Sequence, residues 1–147
     1  MKNSWPNLIK SNAVGFGAVP LDGLMIPYAV LSRAVNKDLV GFIGCFKYED
    51  DQHYFISEDV PTEFREPQIL HELNEIHELK EEPGSCLKSL LFELRFVGSD
   101  IREKYLAYRR DFFRRLVHYC AERPEWYSEQ RRADFQESLD YLNGLIN

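Results

Sequence analysis

The sequence predicts an α+β fold, with a small antiparallel sheet in its N-terminal part followed by three or four helices. Three observations carry this expectation. β-Branched and aromatic residues gather in short runs, set off by glycines and polar turns, before residue 60. After Val60 apolar residues recur every three or four positions. Pro83-Gly84, Gly98 and Pro124 then fall between the periodic stretches, where helices must stop.

Along the chain, Trp5-Pro6 and Gly15, Gly17 and Gly23 suggest a loop-rich arm over residues 1–23, with one short strand near Ala13–Val19. Pro27 suits the first turn of a helix, where its missing N–H has no partner, so a short helix is expected over Pro27–Val35, ended by Asn36. Leu39–Tyr48 reads as a strand. The polar turn Glu49-Asp50-Asp51-Gln52 leads back into a second strand, His53–Ser57, giving an antiparallel hairpin. Pro67 opens a helix running to about Glu81. Ser85 can cap the next, Cys86–Val97, with Gly98 as its stop. Asp100 and Glu103 resemble a capping box at the head of the longest helix, Ile101–Glu122, in which Ile101, Tyr105, Tyr108, Phe112, Leu116 and Tyr119 form one apolar face. A last helix, Ser128–Ile146, aligns Phe135, Leu139, Leu142 and Ile146.

The chain has 147 residues, 44% hydrophobic and 14% aromatic, enough for a single domain over 1–147 with its own core and too apolar for a disordered segment. No apolar run approaches the ~20 residues needed to span a bilayer, and the N-terminus has no apolar signal core, so no membrane partner is expected. Cys45, Cys86 and Cys120 are odd in number and form no C-x-x-C pair. They read as small buried hydrophobes in a reducing cytoplasm. There is no phosphate-binding loop, no G-x-S-x-G elbow, no paired E-x-x-H motif and no calcium loop.

Net charge is −6 but uneven. Residues 49–82 hold twelve acids against Arg65 and Lys80, whereas Ile101–Arg115 holds six bases against two acids. Either segment can be a hydrated face, and the second would serve a nucleic-acid binder. Phe113, Trp126 and Tyr127 are surplus to the apolar periodicity. Beside Arg114 and Arg115 they have the composition of a protein-binding patch or a homodimer contact.

The segment His71-Glu72-Leu73-Asn74-Glu75-Ile76-His77-Glu78 concentrates metal-binding side chains. At about 100° per residue, His71, Glu75 and Glu78 fall on one helix face and Ile69, Leu73 and Ile76 on the other. The plainer expectation is that His71, Glu72, Glu75 and Glu78 form the hydrated face of an amphipathic helix. His77 then sits near the apolar side, and His53 and His118 have no evident partners.

The stretch YFISEDVPTEFREPQILHELNE, Tyr54–Glu75, resembles the core of zincin metallopeptidases, in which a strand leads into a helix bearing H-E-x-x-H. The likeness extends over about residues 54–95. It implies a zinc site with His71 as first ligand, Glu72 as general base, and Glu93 of the following helix as a further ligand. The sequence departs from that pattern at the second histidine, which is Glu75 here. A carboxylate in that place makes bound water less acidic and a poorer nucleophile.

The residues thus favour a non-enzymatic interaction or accessory module of the cytoplasm, with another protein as partner, built on a small α+β fold; the resemblance allows that this is a zincin-like domain whose metal site is lost or altered. No cofactor is required by that reading. The competing expectations are a zinc-dependent hydrolase using Glu72, with His71, Glu75 and Glu93 as ligands, and a nucleic-acid binder acting through 101–115.

Overall fold

The computed structural model describes residues 4–80 and 82–146, and the side-chain environments from Asn7 onward. Glu81, where the first long helix was expected to end, lies outside the described residues. The chain divides into two compact units, 1–72 and 73–147. The architecture is α+β: four strands in the N-terminal part, then helices. No helix among the described residues is long and apolar enough to cross a membrane.

In the first unit, helix α1 (Ser4–Asn12) leads directly into strand β1 (Ala13–Leu21). The expected loop-rich arm is therefore a helix and a nine-residue strand. Strand β2 (Leu24–Leu31) follows, so the helix expected over Pro27–Val35 is instead a strand, with only a short 3-10 turn at Arg33–Val35. Asp22-Gly23 decides this. Both residues take positive φ, 51° and 81°, which is the type I′ turn that closes a two-residue hairpin. Pro27 pairs with Ala18 in that hairpin.

Strands β3 (Ile43–Tyr48) and β4 (Asp51–Ser57) form a second antiparallel hairpin, as the sequence suggested. Its turn residues, Glu49 and Asp50, also have positive φ. The strand order is β1-β2-β4-β3, with β2 and β4 parallel. Arg33 pins the connection between β2 and β3. Its Nε meets the Asp59 carboxylate at 2.8 Å, its Nη2 donates to the Lys37 carbonyl at 2.8 Å, and Nη1 donates to the Asn36 carbonyl.

Cross-strand pairing sorts the sheet residues onto two faces, because directly opposed side chains point the same way. One face carries Gly17, Val19, Tyr28, Val30, Tyr54, Ile56, Ile43 and Cys45. Val19, Val30, Tyr54 and Ile56 on it are buried. Glycine at position 17 is required by its partner: a Cβ there would lie 2.5 Å from the Tyr28 hydroxyl oxygen. The other face carries Leu31 and Ser57, both buried, then Phe16, Ala29 and Phe55 in one row; beyond the end of the β2–β4 ladder it carries Ala18 opposite Pro27 and Pro20 opposite Met25 on the first hairpin, and His53 opposite Phe46 and Asp51 opposite Tyr48 on the second. On this side the Phe55 ring lies over Gly44, whose missing Cβ would be 2.7 Å away.

Helix α2 (Arg65–Leu73) closes the first unit, and a π-helical turn, Asn74–Glu78, opens the second. Then come α3 (Ser85–Leu94), α4 (Arg102–Ala121) and α5 (Glu129–Ile146), close to the expected spans. Leu90, Leu94, Tyr105, Phe112, Phe113, Leu116, Phe135, Leu139 and Leu142 are buried in the helical unit. Gly84, at φ 81°, turns the chain into α3 and donates its N–H to Asp134 Oδ1 at 3.1 Å.

Two substitutions on one strand face test the sheet packing. Gly17→Val drives its Cβ into the Tyr28 ring and is expected to cost about 1–3 kcal/mol. Gly15→Val meets only the Val30 Cβ at 3.8 Å, and stays within about 0.5 kcal/mol of the parent. Chemical denaturation of both variants measures the difference, and equal costs would contradict the packing described.

Candidate functional site

Of the charged residues singled out in the sequence, Glu75 and Glu93 belong to two clusters in the helical unit. On α3, Cys86, Ser89, Leu90, Glu93 and Leu94 follow three-and-four spacing and are all buried, so Glu93 sits in the middle of a packing stripe. On α4 the same spacing carries Tyr105, Arg109, Phe112 and Leu116 inward. Glu93 and Arg109, 0% and 2% exposed, meet at 2.8 Å between Oε1 and Nη2. The Tyr105 hydroxyl donates to Glu93 Oε2, and the guanidinium lies over the Phe113 and Phe112 rings at 4.7 and 5.2 Å.

The electrostatics follow from burial. Desolvation, then the charge of Glu93, raises the Tyr105 hydroxyl well above the usual tyrosine range, with Arg109 opposing. Desolvation works to lower the Arg109 pKa, but Glu93, helped by Tyr105, more than reverses it. Both carboxylate oxygens of Glu93 are thereby engaged by donors, and Arg109 is held as a cation.

The second cluster surrounds Glu75. Its Oε1 accepts from Arg131 Nη2 at 2.6 Å. Asp134, one turn along α5, accepts from Gln130 Nε2 at 2.8 Å as well as from the Gly84 N–H. Cys86 Sγ lies within 4.8 Å of a Glu75 ligand atom and accepts from the Ser138 hydroxyl at 3.2 Å. On α3, Ser89 accepts from Asn74 Nδ2 at 3.1 Å.

The hydrated-face expectation for 71–78 is therefore corrected. Glu78 is exposed and Glu72 half-buried, but His71 and Glu75 are buried. His71 and Glu75 share one face at 100° per residue, both are buried, and Arg131 supplies the charge that compensates Glu75. Of the expected zinc donors, Glu93 is taken up on both oxygens by Arg109 and Tyr105, while Glu75 Oε1 accepts from Arg131. Glu72, the expected general base, belongs to the first unit. There it follows burial and Cys45 among the influences that raise the Tyr54 hydroxyl.

The expected aromatic patch is only partly at the surface. Phe113 is buried beneath Arg109. Arg114 is exposed and faces Asp111 at 3.3 Å, and Arg115 is half-buried. Tyr127 sits edge-on to both Tyr119 and Phe135, while Trp126 is 65% exposed. Arg123, unremarked in the sequence, stacks on Tyr119 at 3.8 Å and reaches Trp126 at 5.7 Å; its four-residue spacing from Tyr119 was the available signal. The basic stretch 101–115 is also reduced, since Arg109 is buried and Asp111 accompanies Arg110 and Arg114.

The larger apolar exposure is elsewhere, on the second face of the sheet. Phe16 is 76% exposed and Met25 62%, with Pro20 and Pro27 exposed beside them. Phe46 stacks on His53 at 5.2 Å between ring centres, and Phe46 and Phe55 lie 6.3 Å apart on the same side. Val14, at a bulge in β1, is a further exposed apolar side chain, and Leu24, on the first face beside the turn, is another. The signal for this face was the Asp22-Gly23 turn between two apolar runs.

No protein-family model matches the chain, nor does any curated protein or solved structure.

Two measurements check the buried clusters. Arg109→Leu strands a desolvated carboxylate and is expected to cost about 3–5 kcal/mol, whereas Glu93→Leu combined with Arg109→Leu recovers most of that loss. Denaturation of the single and double variants decides; a double variant no better than the single would refute the pairing argument. Tyr28, Tyr54, Tyr105 and Tyr127 all have raised hydroxyl pKa values in the fold. A pKa raised on folding gives stability that is full below pH ~10 and is lost as pH rises through the folded values. Absorbance titration should therefore show about half of the eight tyrosines ionising only late, together with unfolding. Eight tyrosines titrating together near pH 10 would contradict their placement.

Proposed function

We propose that this chain is a non-enzymatic protein-interaction module, and that it docks its partner on the open face of the N-terminal sheet. The observation that carries the reading is the set of exposed apolar side chains on the β1–β2 hairpin, Phe16, Pro20, Met25 and Pro27, on the same sheet face as the half-buried Phe46 and Phe55, with Phe16 and Met25 largely in water. Exposed apolar surface of this kind marks interaction sites, and aromatic residues and Met are enriched in the cores of protein interfaces. The internal use of Glu75 and Glu93 as counter-ions for arginine favours this reading over metal-dependent hydrolysis. Three free cysteines support a reducing compartment, and we assign the protein to the cytoplasm. The Arg123–Trp126 stack is a smaller, secondary contact.

The test compares the full chain with Phe16→Asp/Met25→Asp and with Trp126→Ala as baits in the same cell extract. Proteins recovered in stoichiometric amount with the parent chain should be lost with Phe16→Asp/Met25→Asp, whose melting temperature stays within a few degrees of the parent, and retained with Trp126→Ala. Retention by the sheet variant together with loss by Trp126→Ala would move the docking surface to the helical unit and overturn the proposal.

A further inference from the structure

We infer that the open sheet face receives an amphipathic α-helix of another protein, with an apolar stripe flanked by lysine or arginine; this rests on that face being the docking surface. The first argument is topological. Because β2 and β4 run parallel, the turns that precede them, Asp22-Gly23 and Glu49-Asp50, lie at the same end of the sheet. The first β2–β4 pair, Tyr28↔Tyr54, lies four residues beyond Leu24 and three beyond Asp51, the residues that follow the two turns. Both turns are two-residue connections with positive φ at each residue, so each tip is held tightly.

The second argument is charge. Asp22, Glu49, Asp50 and Asp51 are all exposed at that end. None of the four makes an ion pair among the described residues. The base nearest in sequence, Lys47, pairs with Gln52 on the opposite face. The apolar rows ending in Pro20, Met25 and Tyr48 thus run into a rim of four carboxylates. A partner that covers the apolar rows and carries cations at its margin satisfies both parts. The same rim disfavours a second copy of this chain, which would bring its own four carboxylates and a further net charge of −6.

The third argument concerns shape. Four strands at about 4.8 Å spacing make a face some 14 Å across, which a helix about 10–12 Å in diameter covers. Addition of an extended strand to the β1 edge is hindered at two places: the bulge at Val14 bends that edge, and Pro20 has no N–H to donate.

The experiment titrates the isotope-labelled full chain with two synthetic helical peptides that share one leucine stripe and carry either lysine or glutamate at every other position. The lysine peptide is expected to shift amides of residues 16–29 and 44–55, to bind at least ten-fold more weakly to Asp50→Lys/Asp51→Lys, and to lose binding to Phe16→Asp/Met25→Asp. The glutamate peptide should not bind. Equal binding of both peptides at the face, indifferent to Asp50→Lys/Asp51→Lys, would overturn the charge inference and leave the docking surface standing. Lysine-peptide shifts confined to other acidic segments, unchanged by Phe16→Asp/Met25→Asp, would overturn both. A parent chain that sediments as a dimer and a Phe16→Asp/Met25→Asp variant that sediments as a monomer would assign the face to a second copy and overturn the inference.

Discussion

The parallel pairing of β2 with β4 is the constraint from which the surface of the first unit follows. Two tight hairpins could lie in a sheet with their turns at opposite ends. The register Tyr28↔Tyr54 through Leu31↔Ser57 puts them at the same end, and fixes which residues share a face. Gly17 under Tyr28 falls on one side and Gly44 under Phe55 on the other, so each face has one place where a ring fills the space of a missing side chain. A slip of one residue would exchange the faces and bring Phe16 and Met25 to the side that now buries Val30 and Ile56.

The helical unit solves the opposite problem. Its sequence puts charges where spacing demands packing, and the fold accommodates them by pairing. Glu93 and Arg109 are both desolvated, which is costly, and replacing such a pair with apolar residues is often neutral or favourable. What it supplies here is orientation: the carboxylate takes one donor from Tyr105 and one from Arg109, four residues apart on the same helix, so α3 meets α4 in one register. Glu75 with Arg131, and Asp134 with Gly84, tie the π-helical turn and the start of α3 to α5 in the same way.

How much of this was legible depended on whether a signal was local. The helices after residue 60 were readable because their apolar period is sustained and their stops are glycine and proline. The hairpin 43–57 was readable for similar reasons. Strand β2 was not, because Pro27 suits a helix start as well as an edge of a hairpin, and only the Asp22-Gly23 turn distinguishes the two. Helix α1 was not, because Trp5-Pro6 fits a loop as well as the first turn of a helix, where proline is tolerated. The burial of Glu75 was beyond a helical wheel, since its counter-charge is an arginine 56 residues away. Glu93 was picked out as important for its place in the sequence, but its partners come from a helix whose approach no local pattern specifies.

The misplacement of Phe113 and the discovery of Phe16 follow from the same physics. Periodicity counts residues left over after one buried face has been filled, and Phe113 was left over on a helix that buries two adjacent stripes, Phe112 and Phe113 both lying under Arg109. Phe16 was not left over, because a strand that alternates glycine with apolar residues looks buried on whichever side is assumed. Only the pairing shows that Gly15 and Gly17 share a face with Val30 and Tyr28, and that Phe16 looks out from the other. An aromatic side chain three-quarters in water, on a strand with no charge of its own, gains little of the burial that holds the sheet together.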